Sequence, residues 1–163
     1  MKIHYYDFVA TGGVHTSFNA AMIEVLNKAF PQNNGFVLHS EKAHGKIVHS
    51  KLCNATAKIT PLHFLFCFKR RKIKDVCAIF ECIKIFLNTK QNDVVFVALV
   101  FPYTLSFLNI LVRLFHRHVY VCLHGELQHL IDEAGIYDKA SNSYFCGMKH
   151  IFQKENHLLI VHY

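Results

Sequence analysis

Tryptophan is absent from this chain of 163 residues, and acidic residues are few. Asp and Glu number 11 against 18 Lys and Arg, for a formal charge of +7. That balance excludes an acidic tail, and 13 histidines add positive charge at mildly acidic pH. Several motifs are missing as well. Neither G-x-G-x-x-G nor G-K-[ST] occurs, which removes support for dinucleotide enzymes and P-loop NTPases. There is no G-x-S-x-G, no cysteine with a nucleophile signature, and no glutamate pair at the spacing of a paired-acid site. The six cysteines, Cys53, Cys67, Cys77, Cys82, Cys122 and Cys146, form no C-x-x-C pair. Scattered through apolar stretches, they suit reduced, buried thiols in a cytoplasmic protein better than a disulfide framework. Without Trp or a recognised binding motif, nucleic acid is a poor partner. No secretory signal is visible, because Asp7, Gly12 and Gly13 come before any apolar run of sufficient length.

What is present is a core. Hydrophobic residues make up 52% of the chain and charged ones 18%, which excludes disorder, a coiled coil and a collagen-like repeat. The length fits one domain over residues 1–163. Apolar runs read as strands at 2–9, 36–39, 94–100, 119–123 and 158–161, with further strands at 46–52 and 57–60. Helical spacing joins Phe18, Met22, Val25, Leu26 and Ala29, and later Ile73, Val76, Phe80, Ile83 and Leu87. A helix over 103–115 is apolar on nearly every side, which argues burial on both faces or contact with another domain. More helix is expected around 127–133 and 140–152. Residues 94–112 carry no charge and approach the ~20 residues of a membrane span. The β-branched run at 94–100, Pro102 and the polar Tyr103, Thr104, Ser106 and Asn109 point instead to a strand, a turn and a helix. The alternation predicts an α/β fold: a Rossmann-like, doubly wound, mostly parallel sheet with helices on both faces.

In such sheets ligands bind beyond the carboxyl ends of the strands, where the strand order reverses. The residues that follow strand ends are Gly12, Gly13, His15, Pro102, His124, Gly125, Glu126 and His162. Adjacent glycines in Thr11-Gly12-Gly13-Val14-His15-Thr16 let backbone N–H groups at a helix start meet a phosphate or a sugar hydroxyl. A tight strand-to-helix turn uses the same residues. His124, ahead of Gly125 and Glu126, can bond a substrate, move a proton or cap a helix. Glu126 is also accounted for by the helix dipole. His39, His44 and His49 recur every fifth residue, which is not a metal-ligand pattern, so no metal is expected. His116-Arg117-His118 reads as a solvated loop. No strand ends in a clear acidic pocket, which disfavours a phosphorylated-aspartate regulatory domain.

The positive charge is uneven. Lys69, Arg70, Arg71 and Lys72, followed by Lys74, form a block, with a looser set at Lys42, Lys46, Lys51 and Lys58. The aromatic run Leu62-His63-Phe64-Leu65-Phe66-Cys67-Phe68 abuts the block. A solvated turn explains such a cluster, and so does contact with an anionic membrane surface or a phosphorylated ligand, with nucleic acid the poorer fit.

The order of these parts resembles the N-terminal domain of a GT-B-fold glycosyltransferase, the two-domain type that includes the retaining family 4 enzymes. The residues that carry the resemblance are the opening strand at 2–9 with Gly12-Gly13-Val14, the strand at 93–100, the strand at 119–123 running into His124-Gly125-Glu126, and the strand at 158–161. The resemblance implies that Gly12 and Gly13 lie at an interdomain cleft near donor phosphates and acceptor. It places His124 close to the reacting sugar, with Gly125 and Glu126 on the substrate side. His15 departs from the acidic residue or alanine often found at its position. The family's E-x7-E motif belongs to the C-terminal domain, and no two glutamates here are eight apart. The expected chain is thus the acceptor-side half, inactive alone. Its partners would be a glycan or lipid-linked acceptor and a separate donor-binding domain. The co-substrate would be a nucleotide-sugar rather than a resident cofactor. The resemblance also implies docking on the inner membrane face. The rival expectation is a non-catalytic Rossmann-like ligand-binding or membrane-docking module.

Overall fold

Short runs of β-branched and aromatic residues build the strands, because such side chains pack well on a pleated, buried surface. The computed structural model describes residues 1–100, 102–115, 119–123 and 158–162. Its strands are β1 (Ile3–Asp7), β2 (Phe36–Ser40), β3 (Ala57–Pro61), β4 (Val94–Leu99), β5 (Val119–Leu123) and β6 (Leu158–His162). Its helices are α1 (Thr16–Ala29), α2 (Lys42–Ser50), α3 (His63–Phe66), α4 (Arg71–Asn88) and α5 (Pro102–Phe115). The strands form one sheet in the order β3-β2-β1-β4-β5-β6, and every neighbouring pair is parallel. This is the strand order of the Rossmann fold, as the alternation of strands and helices predicts.

Alternation along the central strands feeds two cores. Ile3 and Tyr5 of β1 and Val94, Phe96 and Ala98 of β4 meet Ala20, Ile23 and Leu26 of α1 and Val48 of α2. Tyr6 of β1 and Val95 and Val97 of β4 meet Cys77, Cys82 and Ile85 of α4 and Leu105, Leu108 and Val112 of α5. Helices therefore cover both faces. The predicted helices around 127–133 and 140–152 lie outside the described residues.

Four local expectations need correction. Residues 46–52 do not form a strand, because α2 occupies 42–50. Glu41 caps that helix, its carboxylate accepting from the His44 amide at 3.0 Å. The buried face of α1 is Thr16, Asn19, Ala20, Ile23 and Leu26, whereas Val25 and Ala29 are exposed. Two polar residues stand on that inner face because a polar site lies behind it. In α4 four of the five residues that carry the periodic signal, Ile73, Val76, Phe80 and Leu87, face outward and Ile83 packs on the core, while Cys77, Ala78, Cys82, Ile85 and Phe86 are buried. Nor is α5 buried on both faces, since Ile110 and Leu114 are exposed.

Gly45 lets α2 settle on the sheet edge. A Cβ there would stand 2.8 Å from Ser40 Oγ and 3.0 Å from Ile59 Cγ2, inside contact distance. Gly45→Ala should therefore destabilise the fold by about 1–2 kcal/mol, with overpacking outweighing the gain in helix propensity. Equilibrium urea unfolding checks this, and an equally stable or stabilised variant would contradict it.

Candidate functional site

The chain runs outward from β1 to β3 and then returns to lay β4 on the other side of β1. The order reverses between β1 and β4, so the ligand-binding crevice of this topology opens above their carboxyl ends. A register shift between Tyr6 and Asp7 against β4 locally distorts the pairing there. The loop that leaves β1 at this point contains Gly12, Gly13 and His15.

Asp7 ends β1 and is fully buried. One carboxylate oxygen accepts from the backbone amides of Val9 and Ala10, at 3.0 and 2.8 Å. The other accepts from the Asn19 side-chain amide at 2.6 Å. The same amide lies 2.9 Å from Nε2 of buried His44, and Tyr5 donates its hydroxyl to the Asn19 carbonyl oxygen at 2.8 Å. An amide nitrogen only donates, so Nε2 of His44 must accept. The ring proton then sits on Nδ1, which reaches the Gly12 carbonyl at 3.0 Å. The 3.6 Å gap between Nε2 and Asp7 is bridged by Asn19 rather than closed directly. Glu41 completes the clamp by accepting from the Gly12 amide at 2.9 Å. That bond and the His44 amide hold Glu41 below the usual carboxylate range.

Gly12 is thus gripped at both its N–H and its C=O, with a φ of 54° that suits glycine. His15 also has positive φ, at 55°, and turns the chain into α1. Gly13, Val14 and His15 are exposed at the mouth of the crevice. Nothing lies within 4 Å of where a Gly13 Cβ would stand. Lys51, just beyond α2, reaches the first turn of α1 and donates to the Thr16 and Ser17 hydroxyls at 2.8 and 2.9 Å. A cation beside a helix N-terminus adds to the local positive field, which favours an anion there.

Of the residues predicted from sequence, Gly12, Gly13 and His15 come together at this mouth. His124, Gly125 and Glu126, and also His116, Arg117 and His118, lie outside the described residues. Lys69, Arg70, Arg71 and Lys72 follow the carboxyl end of β3 and lead into α4, with Lys69, Arg70 and Lys72 exposed. His39 and His44 do not converge: His39 stacks on Tyr6, and His44 bonds Asn19 and Gly12. Among the described residues no group of three or more His, Cys, Asp or Glu is placed to hold a metal ion. Sequence reasoning missed Asp7, Asn19, Glu41, His44 and Lys51. A strand does end in a buried acid, but Asp7 spends its oxygens on the loop amides and Asn19. The spacing Glu41-x-x-His44 was the available signal for a capped helix that would carry His44 inward.

A second cleft, of about 400 Å³, lies between the β1–β3 flank and α4 and holds none of the predicted site residues. His4 and His39 stand 3.2 Å apart through Nδ1 and Nε2, so at least one ring is unprotonated at that contact. The His39 ring also stacks flat on Tyr6, with centroids 4.0 Å apart. Burial, with His4 nearby, pulls His39 down to about 3. Burial also lowers His4, against the opposing pull of Asp93.

Comparison of the chain with known protein families, with curated proteins and with solved structures finds no match. The reading of the site therefore stands on its geometry and on the fold.

Both histidines bind protons more weakly in the folded chain than in the unfolded chain, whose value is near 6.5. Their contribution to stability is full above that value and shrinks as pH falls toward 3. The thermal midpoint should drop between pH 7 and pH 5, above the carboxylate range, and drop less in His39→Phe, which keeps the stack on Tyr6. Equal drops in the two proteins, followed by circular dichroism, would contradict this assignment.

Proposed function

We propose that this chain is the acceptor-side half of a GT-B-type sugar transferase. It binds a glycan or lipid-linked acceptor at the switch-point crevice while a nucleotide-sugar is held mainly by a separate donor-binding domain. The observation that carries this reading is the position of Gly12–Gly13. The turn stands where strand order reverses, is clamped from behind by His44 and Glu41, and presents an open Gly13 to the crevice. A backbone without Cβ allows a sugar ring or phosphate to approach closely. Lys51 and the start of α1 supply positive field for a phosphate on the acceptor or donor. In this reading His15 lines the acceptor side. His124, Gly125 and Glu126 complete the substrate side, with His124 at the reacting sugar.

A second reading, a non-catalytic ligand-binding module, has its own support. Asp7, Asn19 and His44 direct their bonds toward one another and the loop backbone, a use that shapes a binding surface rather than moves a proton.

A titration of the labelled full chain, followed by its amide spectra, separates these readings. Polyprenyl phosphate sugars and free oligosaccharides are the ligands. The amides of Gly12, Gly13 and His15 should shift with an acceptor. Gly13→Ala should keep its fold, because its Cβ meets open space, yet weaken the complex. Lys51→Ala should weaken phosphate-bearing ligands about five- to tenfold and leave neutral glycans unaffected. Sugar transfer upon adding a donor-binding domain favours the transferase, and loop shifts without transfer favour the module. Unmoved loop amides with every acceptor would overturn both.

A further inference from the structure

The cleft between the β1–β3 flank and α4 is built from flat rings. Tyr6 and His39 lie face to face, with centroids 4.0 Å apart and planes 3° from parallel. The strand register produces this stack, since Tyr6 of β1 stands opposite His39 of β2. His4, two residues back on β1, projects from the same face and lies 15° from the plane of His39. Phe64, half exposed, and Pro61 add apolar wall on the β3 side. The volume of about 400 Å³ falls in the range of small-molecule sites.

Two polar atoms of this ring layer are available to a ligand. Tyr6 is only 5% exposed, yet its hydroxyl has no hydrogen-bond partner among the described residues. The buried polar atoms left unpaired among those residues are Glu24 Oε2 and Asn109 Oδ1, so the Tyr6 hydroxyl opens to the cleft rather than being sealed. The second atom follows from the ring protons. His4 Nε2 faces Asp93 at 3.6 Å, and a proton there leaves His4 Nδ1 to accept from His39 Nε2 at 3.2 Å. His39 Nδ1 is then an acceptor, and it too opens to the cleft. The lining carries no uncompensated carboxylate or amine, because Glu81 and Lys84 pair at 2.9 Å. Burial holds His4 and His39 below the ordinary histidine value, hence neutral at pH 7.

We propose that this cleft binds a neutral, bicyclic heteroaromatic ring of the purine type, its edge on the Tyr6 hydroxyl and His39 Nδ1 and its face on Phe64. The amidine edge of such a ring places an N–H donor beside a ring-nitrogen acceptor, the complement of an imidazole acceptor beside a phenol donor. Flat apolar walls favour a planar ring over a saturated polyol. The paired Glu81 and Lys84 and the neutral histidines disfavour an anion. The site is separate from the switch-point loop, since Gly12, Gly13 and His15 do not line it, and it does not rest on sugar transfer.

The test titrates the ring-labelled full chain with adenine, followed by the aromatic signals of Tyr6, His39 and Phe64. Purine, which lacks the exocyclic amine, methyl glucoside and inorganic phosphate are the comparison probes. Adenine should shift all three rings, purine should bind more weakly, and the glucoside and phosphate should leave the rings unmoved. Tyr6→Phe keeps the stack on His39 and breaks no internal hydrogen bond, so its thermal midpoint should not change. Its affinity for adenine should fall about five- to tenfold. Phe64→Ala, at an exposed position, should weaken adenine by a similar factor and also leave the fold intact. Rings unmoved by adenine overturn the proposal, as does a Tyr6→Phe or Phe64→Ala protein that binds adenine as tightly as the parent. Rings moved by methyl glucoside and not by adenine also overturn it, since they would assign the cleft to a polyol.

Discussion

The Asn19 side chain donates toward both Asp7 and His44 at the carboxyl end of β1, and the shape of the switch-point loop depends on those two bonds. Asp7 fixes the backbone at Val9 and Ala10, and His44 fixes Gly12. Asn19 joins the two and, by needing an acceptor at Nε2, selects the ring form whose Nδ1 proton points at the loop. Asp7, Asn19 and His44 are buried, so each bond is strong and each loss would leave a buried polar group unpaired, at about 1–3 kcal/mol. The exposed residues of the crevice, Gly13 and His15, owe their positions to this hidden layer.

The two sides of the sheet then play different parts. Toward α1 and α2, the core encloses the polar site and delivers Lys51 to the start of α1. Toward α4 and α5, a largely apolar contact surface, pinned by the buried bonds from Thr104 to Asp75, anchors the helices while α4 leaves an apolar, acid-free stripe outside. One layer is organised around a crevice and the other around an outer surface.

The sheet was legible in the sequence because its strands are apolar and β-branched, and because both faces are buried. Residues 94–99 and 119–123 show this most plainly. The Gly12–Gly13 turn was legible for a similar reason, since two glycines between a strand and a helix have few other uses. α2 was not, because Gly45, two histidines and the β-branched Ile47 and Val48 weaken any helical signal. The inner face of α1 was misplaced because Thr16 and Asn19 are polar yet buried. In α4 both faces are apolar, so periodicity revealed a helix without saying which side met the sheet. The network of Asp7, Asn19 and His44 joins residues 12 to 37 positions apart, and only the topology brings them together.

The claim that a buried amide shapes the crevice is tested most directly by amide hydrogen exchange in Asn19→Leu, a change of similar volume that removes both donors. The account predicts a marked loss of protection at Val9, Ala10 and Gly12, whose amides bond Asp7 and Glu41, with β4 amides far less affected. Protection unchanged at those three amides, in a variant that remains folded, would contradict it.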